Sequence, residues 1–368
     1  MKTYDVAAYV WPSYHPDPRA RIFWPMGIGE WETVMKNGPK FPGHQQPRQP
    51  LWGYVNEADP SVMEMQIEAA TDHGVNVFIY DWYWYDRLPY LEGCLNDGFL
   101  KAKNNHKMKF YLMWANHGVS LMWDLRNSDD AFTGRNKARI WQGGVDRAEF
   151  ERVCHRLIER YFSHPCYYKI DGKPVFMIYD PKTFIEGIGG LDAARAALDW
   201  FREQVVLAGH PGLELQSNIM FQPPATMNHL NVDSLTHYHF AHITNVDRDY
   251  NEIMNDVAKA WDGYSKQYQQ RYHPQVSVGW DANPRLVERL PEGNACSGIV
   301  TNNTPENVEK ALRLAKKFVD AHPDQAPLIT VNSWNEWTET SYLQPCDMYG
   351  YGYLEAVRNV FKPVSGAT

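Results

Sequence analysis

Two carboxylates three residues apart, Glu336 and Glu339, stand in the segment Ser333-Trp334-Asn335-Glu336-Trp337-Thr338-Glu339-Thr340. In a continued strand they would face opposite ways, because side chains alternate. If the chain bends into a helical turn, residues at i and i+3 become neighbours, with Cβ atoms about 5–6 Å apart. Paired carboxylates flanking one bond suit glycoside hydrolysis: one acid protonates the leaving oxygen and the other stays ionised. Trp334 and Trp337 would supply low-dielectric walls. The same spacing is common on solvated helix faces, so its meaning depends on the element that carries it.

Short apolar runs that read as strands recur at residues 6–11, 75–81, 109–114, 174–179, 213–219, 234–239, 275–280 and 328–334. They are rich in Val, Ile, Phe, Tyr and Leu, as strands buried on both faces are. Helical patterns lie between them at 61–73, 147–162, 191–208, 250–269 and 304–321. Pro60 opens the first of these, with Ser61 and Glu64 spaced as a capping box. Thr304-Pro305-Glu306 opens the last. Strand alternating with helix implies a parallel sheet, and eight such strands imply a closed (β/α)8 TIM barrel. The expected architecture is one α/β domain over residues 1–368, with long loops after strands 1 (12–59) and 3 (115–144). The Glu336–Glu339 pair then falls at the end of the eighth strand, where barrels of this type carry their sites.

The other strand ends share a chemistry. They read Tyr9-Val10-Trp11, Asp81-Trp82-Tyr83-Trp84, Trp114-Ala115-Asn116-His117, Tyr179-Asp180, Ser217-Asn218, His237-Tyr238-His239, Trp280-Asp281-Ala282-Asn283 and Trp334-Asn335-Glu336-Trp337. Aromatics beside amides, imidazoles and carboxylates suit a polyhydroxylated ring, whose C–H face lies on indole or phenol while its hydroxyls bond the polar groups. The 14 Trp, 22 Tyr and 15 Phe make up 14% of the 368 residues.

Charge and composition exclude other classes. A formal net charge of −8 argues against nucleic acid, since phosphate affinity comes from clustered cations. Mean hydropathy is −0.53 and no apolar run approaches ~18 residues, so no membrane span is expected. Met1-Lys2-Thr3 runs directly into a strand, without a leader, and the five scattered cysteines (Cys94, Cys154, Cys166, Cys296, Cys346) form no CxxC pair. A reducing, cytoplasmic setting is the expectation. His237, His239 and His242 could hold a metal, but no acid lies in the local run, and hydrogen bonding to sugar or to carboxylates fits better. Asp247-Arg248-Asp249 has the DxD form used with nucleotide diphosphates, yet it enters a helix, where Asp is favoured anyway. Gly27-Ile28-Gly29 lacks a third glycine and a preceding strand, and reads as a turn. Arg19, Arg21 and Arg48 could bind an anion, although scattered loop arginines are usually solvated. Asn302-Asn303-Thr304 is a glycosylation sequon in a secretory setting only.

Four segments carry a family resemblance: Trp334-Asn335-Glu336-Trp337-Thr338-Glu339, Tyr349-Gly350-Tyr351-Gly352-Tyr353-Leu354-Glu355-Ala356, Ala8-Tyr9 with Tyr14-His15-Pro16, and Gly43-His44-Gln45-Gln46-Pro47. Together they resemble WbsX-type proteins, which are similar to glycoside hydrolase family 99, the endo-α-mannosidases and endo-α-mannanases. The resemblance runs nearly end to end. It implies a (β/α)8 barrel, a retaining glycosidase and no metal or organic cofactor. It places the catalytic pair on Glu336 and Glu339 and substrate contacts on His44 and Gln46. In the family's mechanism Glu336 takes the proton of the sugar's 2-hydroxyl, which attacks the anomeric carbon and gives a 1,2-anhydro sugar. Glu339 protonates the leaving group and then activates the water that opens the epoxide. The family usually has Gly after the second Glu and an acid before the next Pro; here Thr340 and Gln344 stand there, and both bear on substrate identity.

The sequence thus predicts a retaining α-glycoside hydrolase of a poly- or oligosaccharide. His44, Gln46, Trp114, Asn116, Tyr238 and Asn335 are expected to hold the reacting sugar, with Trp11, Trp84, His239, Trp280 and Trp337 on neighbouring units. The alternatives are a glycosyltransferase of polysaccharide assembly and a non-catalytic carbohydrate-binding barrel.

Overall fold

A computed structural model describes residues 3–120, 123, 139–286 and 298–362. Its sheet strands are β1 (Asp5–Val10), β2 (Val77–Tyr85), β3 (Lys109–Trp114), β4 (Lys173–Ile178), β5 (Glu214–Asn218), β6 (Ser234–Thr236), β7 in two pieces (Arg271–Tyr272 and Gln275–Ser277) and β8 (Leu328–Asn332). All neighbours along this path pair in parallel. The two ends of the path are the two pieces of β7, which are separated by only His273 and Pro274. Pro274 has no N–H to give a ladder. His273 N donates to Leu235 O on the β6 side, and Pro274 O accepts from Thr330 N on the β8 side. The broken strand therefore closes the sheet into a (β/α)8 barrel.

Side chains cross the interior: Tyr111 OH donates to Gln216 Oε1 at 3.0 Å, Thr236 and Thr330 hydroxyls meet at 2.9 Å, and Tyr9 OH donates to His237 O at 3.1 Å. Outside the sheet pack α1 (Trp31–Lys36), α2 (Pro60–Asp72), α3 (Arg147–Leu157), α4 (Pro181–Ile188), α5 (Leu191–Leu207), α6 (Pro224–Leu230), α7 (Tyr250–Gln267), α8 (Pro305–Ala321) and α9 (Gly352–Phe361). The cap of α2 differs from expectation. Asp59, not Ser61, bonds the exposed first turn (Asp59 Oδ1 from Ser61 N, 2.8 Å), and Glu64 instead accepts from Lys103 N. Proline at the first helical position leaves Asp59 as the last residue with extended backbone, which is where a cap must sit.

Strand β2 runs four residues past its expected end and folds back onto Leu88–Tyr90. The loop after β1 contains α1. Much of the loop after β3 lies outside the described residues, as does Cys296; the other four cysteines are free and buried. A third long segment, 278–304, follows β7 and was not expected; its residues 287–297 are likewise outside the described set. Among the described residues, no helix is long and apolar enough to cross a membrane.

Candidate active site

Beyond β8 the chain does not enter an α-helix. Asn335–Glu336 pairs antiparallel with Ser341–Tyr342, and a single 3-10 turn, Trp337–Glu339, forms the tip. Residues three apart eclipse on such a turn, so Glu336 and Glu339 reach the same cavity. The base of the hairpin is pinned: Ser333 Oγ donates to Ser341 O (2.6 Å) and accepts from Glu336 N (2.8 Å). Asn335 clamps strand 1, accepting from Trp11 N (2.8 Å) and donating to Trp11 O (2.9 Å).

The cavity, about 260 Å³, is walled by Trp11, Tyr83, Trp123, Tyr179 and Tyr238, with Asp81, Asp180, Arg285, Glu336 and Glu339 supplying its charges. Arg285 sits between three acids. Its Nη1 donates to Glu339 (2.7 Å), its Nη2 to Glu336 (3.2 Å) and its Nε to Glu30 (3.3 Å). Glu30 also accepts from Thr338 Oγ1 at 3.1 Å and from the indole of Trp11. Tyr238 OH donates to Asp81 (2.9 Å) and lies 3.4 Å from Glu336.

Burial, then the adjacent Glu339 charge, pushes the Glu336 carboxyl well above its usual range, while Arg285 opposes this. Burial raises Glu30 likewise, against Arg285. One guanidinium cannot neutralise three carboxylates, so the cluster favours keeping a proton. Asp81 is also pushed up by burial, and its Oδ1 has no partner among the described residues. Such an oxygen is a ready acceptor for a ligand hydroxyl.

Of the sequence-predicted residues, Glu336, Glu339, Trp11 and Tyr238 line this cavity. His44 and Trp280 line a second one, about 370 Å³, across the turns that carry Asp281 and Thr340. His44 Nε2 bonds Asp281 Oδ2 at 2.8 Å, and Gln46 donates to the same oxygen at 3.0 Å and to Thr340 Oγ1 at 2.7 Å. The remaining residues border neither cavity. Trp84 donates to Glu149 (2.7 Å), and Trp114 stacks on Phe150 outside the barrel. Asn116 bonds both backbone groups of Asp180, and His239 bonds Gly279 O at 3.0 Å.

Trp337 stacks on Tyr342 with centroids 3.9 Å apart and donates to Gln344, while Trp334 donates to Gln66 in the core. The expected walls therefore face away from Glu336: Trp337 packs on Tyr342 behind the turn, and Trp334 is drawn into the core by Gln66. Thr340 adopts φ +54°, the left-handed region that glycine occupies freely, and its hydroxyl bonds Asp281 O at 3.1 Å. Gln344 lies behind the hairpin, donating to Glu57 at 3.0 Å.

Sequence reasoning overlooked Arg285, Glu30 and Asp81 as site residues. Asp81 carried a signal, being the charge at the end of strand 2. Arg285 and Glu30 carried none, since loop geometry alone brings them in. Among the described residues, no group of three or more His, Cys, Asp or Glu side chains is placed to hold a metal ion. His237 is engaged with Tyr272 OH at 2.8 Å.

Barrel and strand-end cavity together define a fold of the glycoside hydrolase kind. It matches the family 99 endo-α-mannosidase of Bacteroides thetaiotaomicron with a TM-score of 0.60 at 14% identity, covering 97% of this chain and 95% of that one. It also matches a glycoside hydrolase-like protein with a TM-score of 0.62 at 15% identity, over 98% and 95% of the two chains. The family model described as glycosyltransferase WbsX matches residues 6–357, and the chain belongs to that family. An uncharacterized protein, WxcX, of Xanthomonas campestris pv. campestris (strain B100) is 26% identical over 373 residues, 96% of this chain and 49% of that protein. The chain thus spans about half the length of the curated relatives it matches.

Proposed function

We propose that the chain is a retaining glycoside hydrolase acting on an α-linked poly- or oligosaccharide. The observation that carries this reading is the convergence of Glu336 and Glu339 in one aromatic-walled cavity, bridged by Arg285. Glu336 is the more deeply buried of the pair; burial favours its protonated form, so it is a strong base once ionised, and the reactive form has Glu336 ionised and the proton on Glu339. It takes the proton of the sugar 2-hydroxyl as O2 bonds to the anomeric carbon, and Glu339 gives its proton to the departing oxygen. The product is a 1,2-anhydro sugar. Water then attacks the anomeric carbon, with Glu339 accepting its proton and Glu336 returning one to O2. Arg285 holds both carboxylates in register while their charges exchange.

The family description favours a second reading, transfer from a sugar nucleotide. Its DxD candidates have structural duties here: Asp249 caps α7 through Asn251 N (2.8 Å), and Asp247 accepts from Ile299 N (3.1 Å). Glu336→Gln and Glu339→Gln separate the readings. Each is expected to lower hydrolytic turnover about 10³-fold, within the range of general acid–base effects, with the fold intact. Wild-type rates in either variant, or Mg²⁺-dependent micromolar binding of a sugar nucleotide by calorimetry, overturn the hydrolase reading.

A further inference from the structure

The second cavity contains a buried positive charge that no carboxylate among the described residues answers. Arg48, in the loop after β1, is only 5% exposed and lines this cavity. Its Nε donates to Gln45 O (2.8 Å) and its Nη2 to Gln45 Oε1 (3.3 Å), while Nη1 has no partner among the described residues. Around it stand Tyr342, Tyr353, Tyr349 and Cys346, none of them a carboxylate, and the guanidinium lies 5.6 Å from the centre of the Tyr349 ring. A guanidinium is always charged, and burying it without a carboxylate is costly. The other two loop arginines differ. Arg21 is exposed, and Arg19 donates to the carbonyls of Leu88, Pro89 and Tyr85.

The rest of the lining narrows what could answer Arg48. Trp280 is half-buried, and its indole N–H has no partner among the described residues. Asp281 is saturated by His44, Gln46 and Asn283. Asp247 is exposed at the rim and retains acceptor capacity. A bare inorganic anion would satisfy Arg48 but face Asp247 and leave Trp280 uncovered. A neutral sugar would cover Trp280 and donate to Asp247 but leave the guanidinium unanswered.

We propose that this cavity binds a carboxylate-bearing monosaccharide unit, its acid on Arg48, a ring face on Trp280 and a hydroxyl toward Asp247. The inference deepens the hydrolase reading by naming an acidic glycan as the substrate class, and it rests on that reading only for the link to turnover.

Binding can be tested without turnover. The full chain is titrated with D-glucuronate, D-galacturonate, D-glucose, D-galactose, acetate and phosphate by calorimetry, and the Trp280 indole N–H is followed by NMR. The uronates are expected to bind about tenfold or more tightly than their neutral parents, as charge-assisted pairing gives, and to shift the Trp280 signal. Arg48→Gln should abolish that preference, while Glu339→Gln keeps it. Equal affinity for uronates and neutral sugars, acetate or phosphate matching the uronates, or an unmoved Trp280 signal overturns the proposal. Should Arg48→Gln fail to fold, the wild-type preference and the Trp280 shift decide. Uronate binding by a chain that hydrolyses nothing would sink the hydrolase reading and leave this one standing.

Discussion

Two buried arginines flank the same pair of turns with opposite surroundings. Arg285, on the turn after Asp281, faces Glu30, Glu336 and Glu339; Arg48, beyond Thr340 and Gln46, pairs with no acid among the described residues. In one cavity the arginine is outnumbered by the acids it touches, and in the other it touches none among the described residues. The first suits a neutral ring whose anomeric centre becomes positive during reaction, and the second suits an anion. The pair teaches that a buried charge reports function through what it lacks as much as through what it touches.

The contrast breaks most sharply on removing each arginine. Arg285→Met strands three carboxylates and is expected to cost about 3–5 kcal/mol in urea unfolding, the usual penalty for breaking a buried pair, with hydrolysis lost as well. Arg48→Met deletes an unpaired cation and should change stability by less than about 1 kcal/mol, since apolar replacement of a costly charge is often neutral. Equal penalties would erase the distinction.

A third buried charge sharpens it further. Glu57 lies behind the hairpin that carries Glu336 and Glu339, accepting from Asn335 (2.9 Å), Gln66 (3.0 Å) and Gln344 (3.0 Å). Burial pushes its carboxyl from 4.5 up to about 7, against those hydrogen bonds. The folded state therefore holds this proton longer than the unfolded chain. Its contribution to stability is full below about pH 4.5 and lost as pH rises through about 7, a swing of up to ~3 kcal/mol. Thermal melts should show that decline in the wild type and a flatter profile in Glu57→Gln. Identical profiles would place the Glu57 pKa near its ordinary value.

The barrel was legible because parallel strands buried on both faces leave unbroken apolar runs, and the catalytic candidates were legible because Glu336 and Glu339 sit where such a strand ends. Pro274 hid the division of β7, since Gln275–Ser277 looked like a strand start while Arg271–Tyr272 is too short to register. The aromatics that wall the cavity could not be sorted from those that pack the core. Trp11 and Trp334 both end strands, yet one meets Glu30 at the cavity and the other meets Gln66 in the core. That choice follows from contacts with residues 19 and 268 positions away, and local spacing holds no trace of them. Arg285 escaped notice for the same reason.

The proposed role of this cavity is the cleavage of a glycosidic bond by Glu336 and Glu339, with retention. Anomeric protons followed by NMR, as the chain meets a panel of neutral and acidic α-linked polysaccharides, decide whether it does. The first-formed reducing end is expected to be the α-anomer, mutarotating only later, and Glu336→Gln is expected to yield none of it. A β-anomer appearing first, or undiminished product from the Glu336→Gln variant, would contradict it.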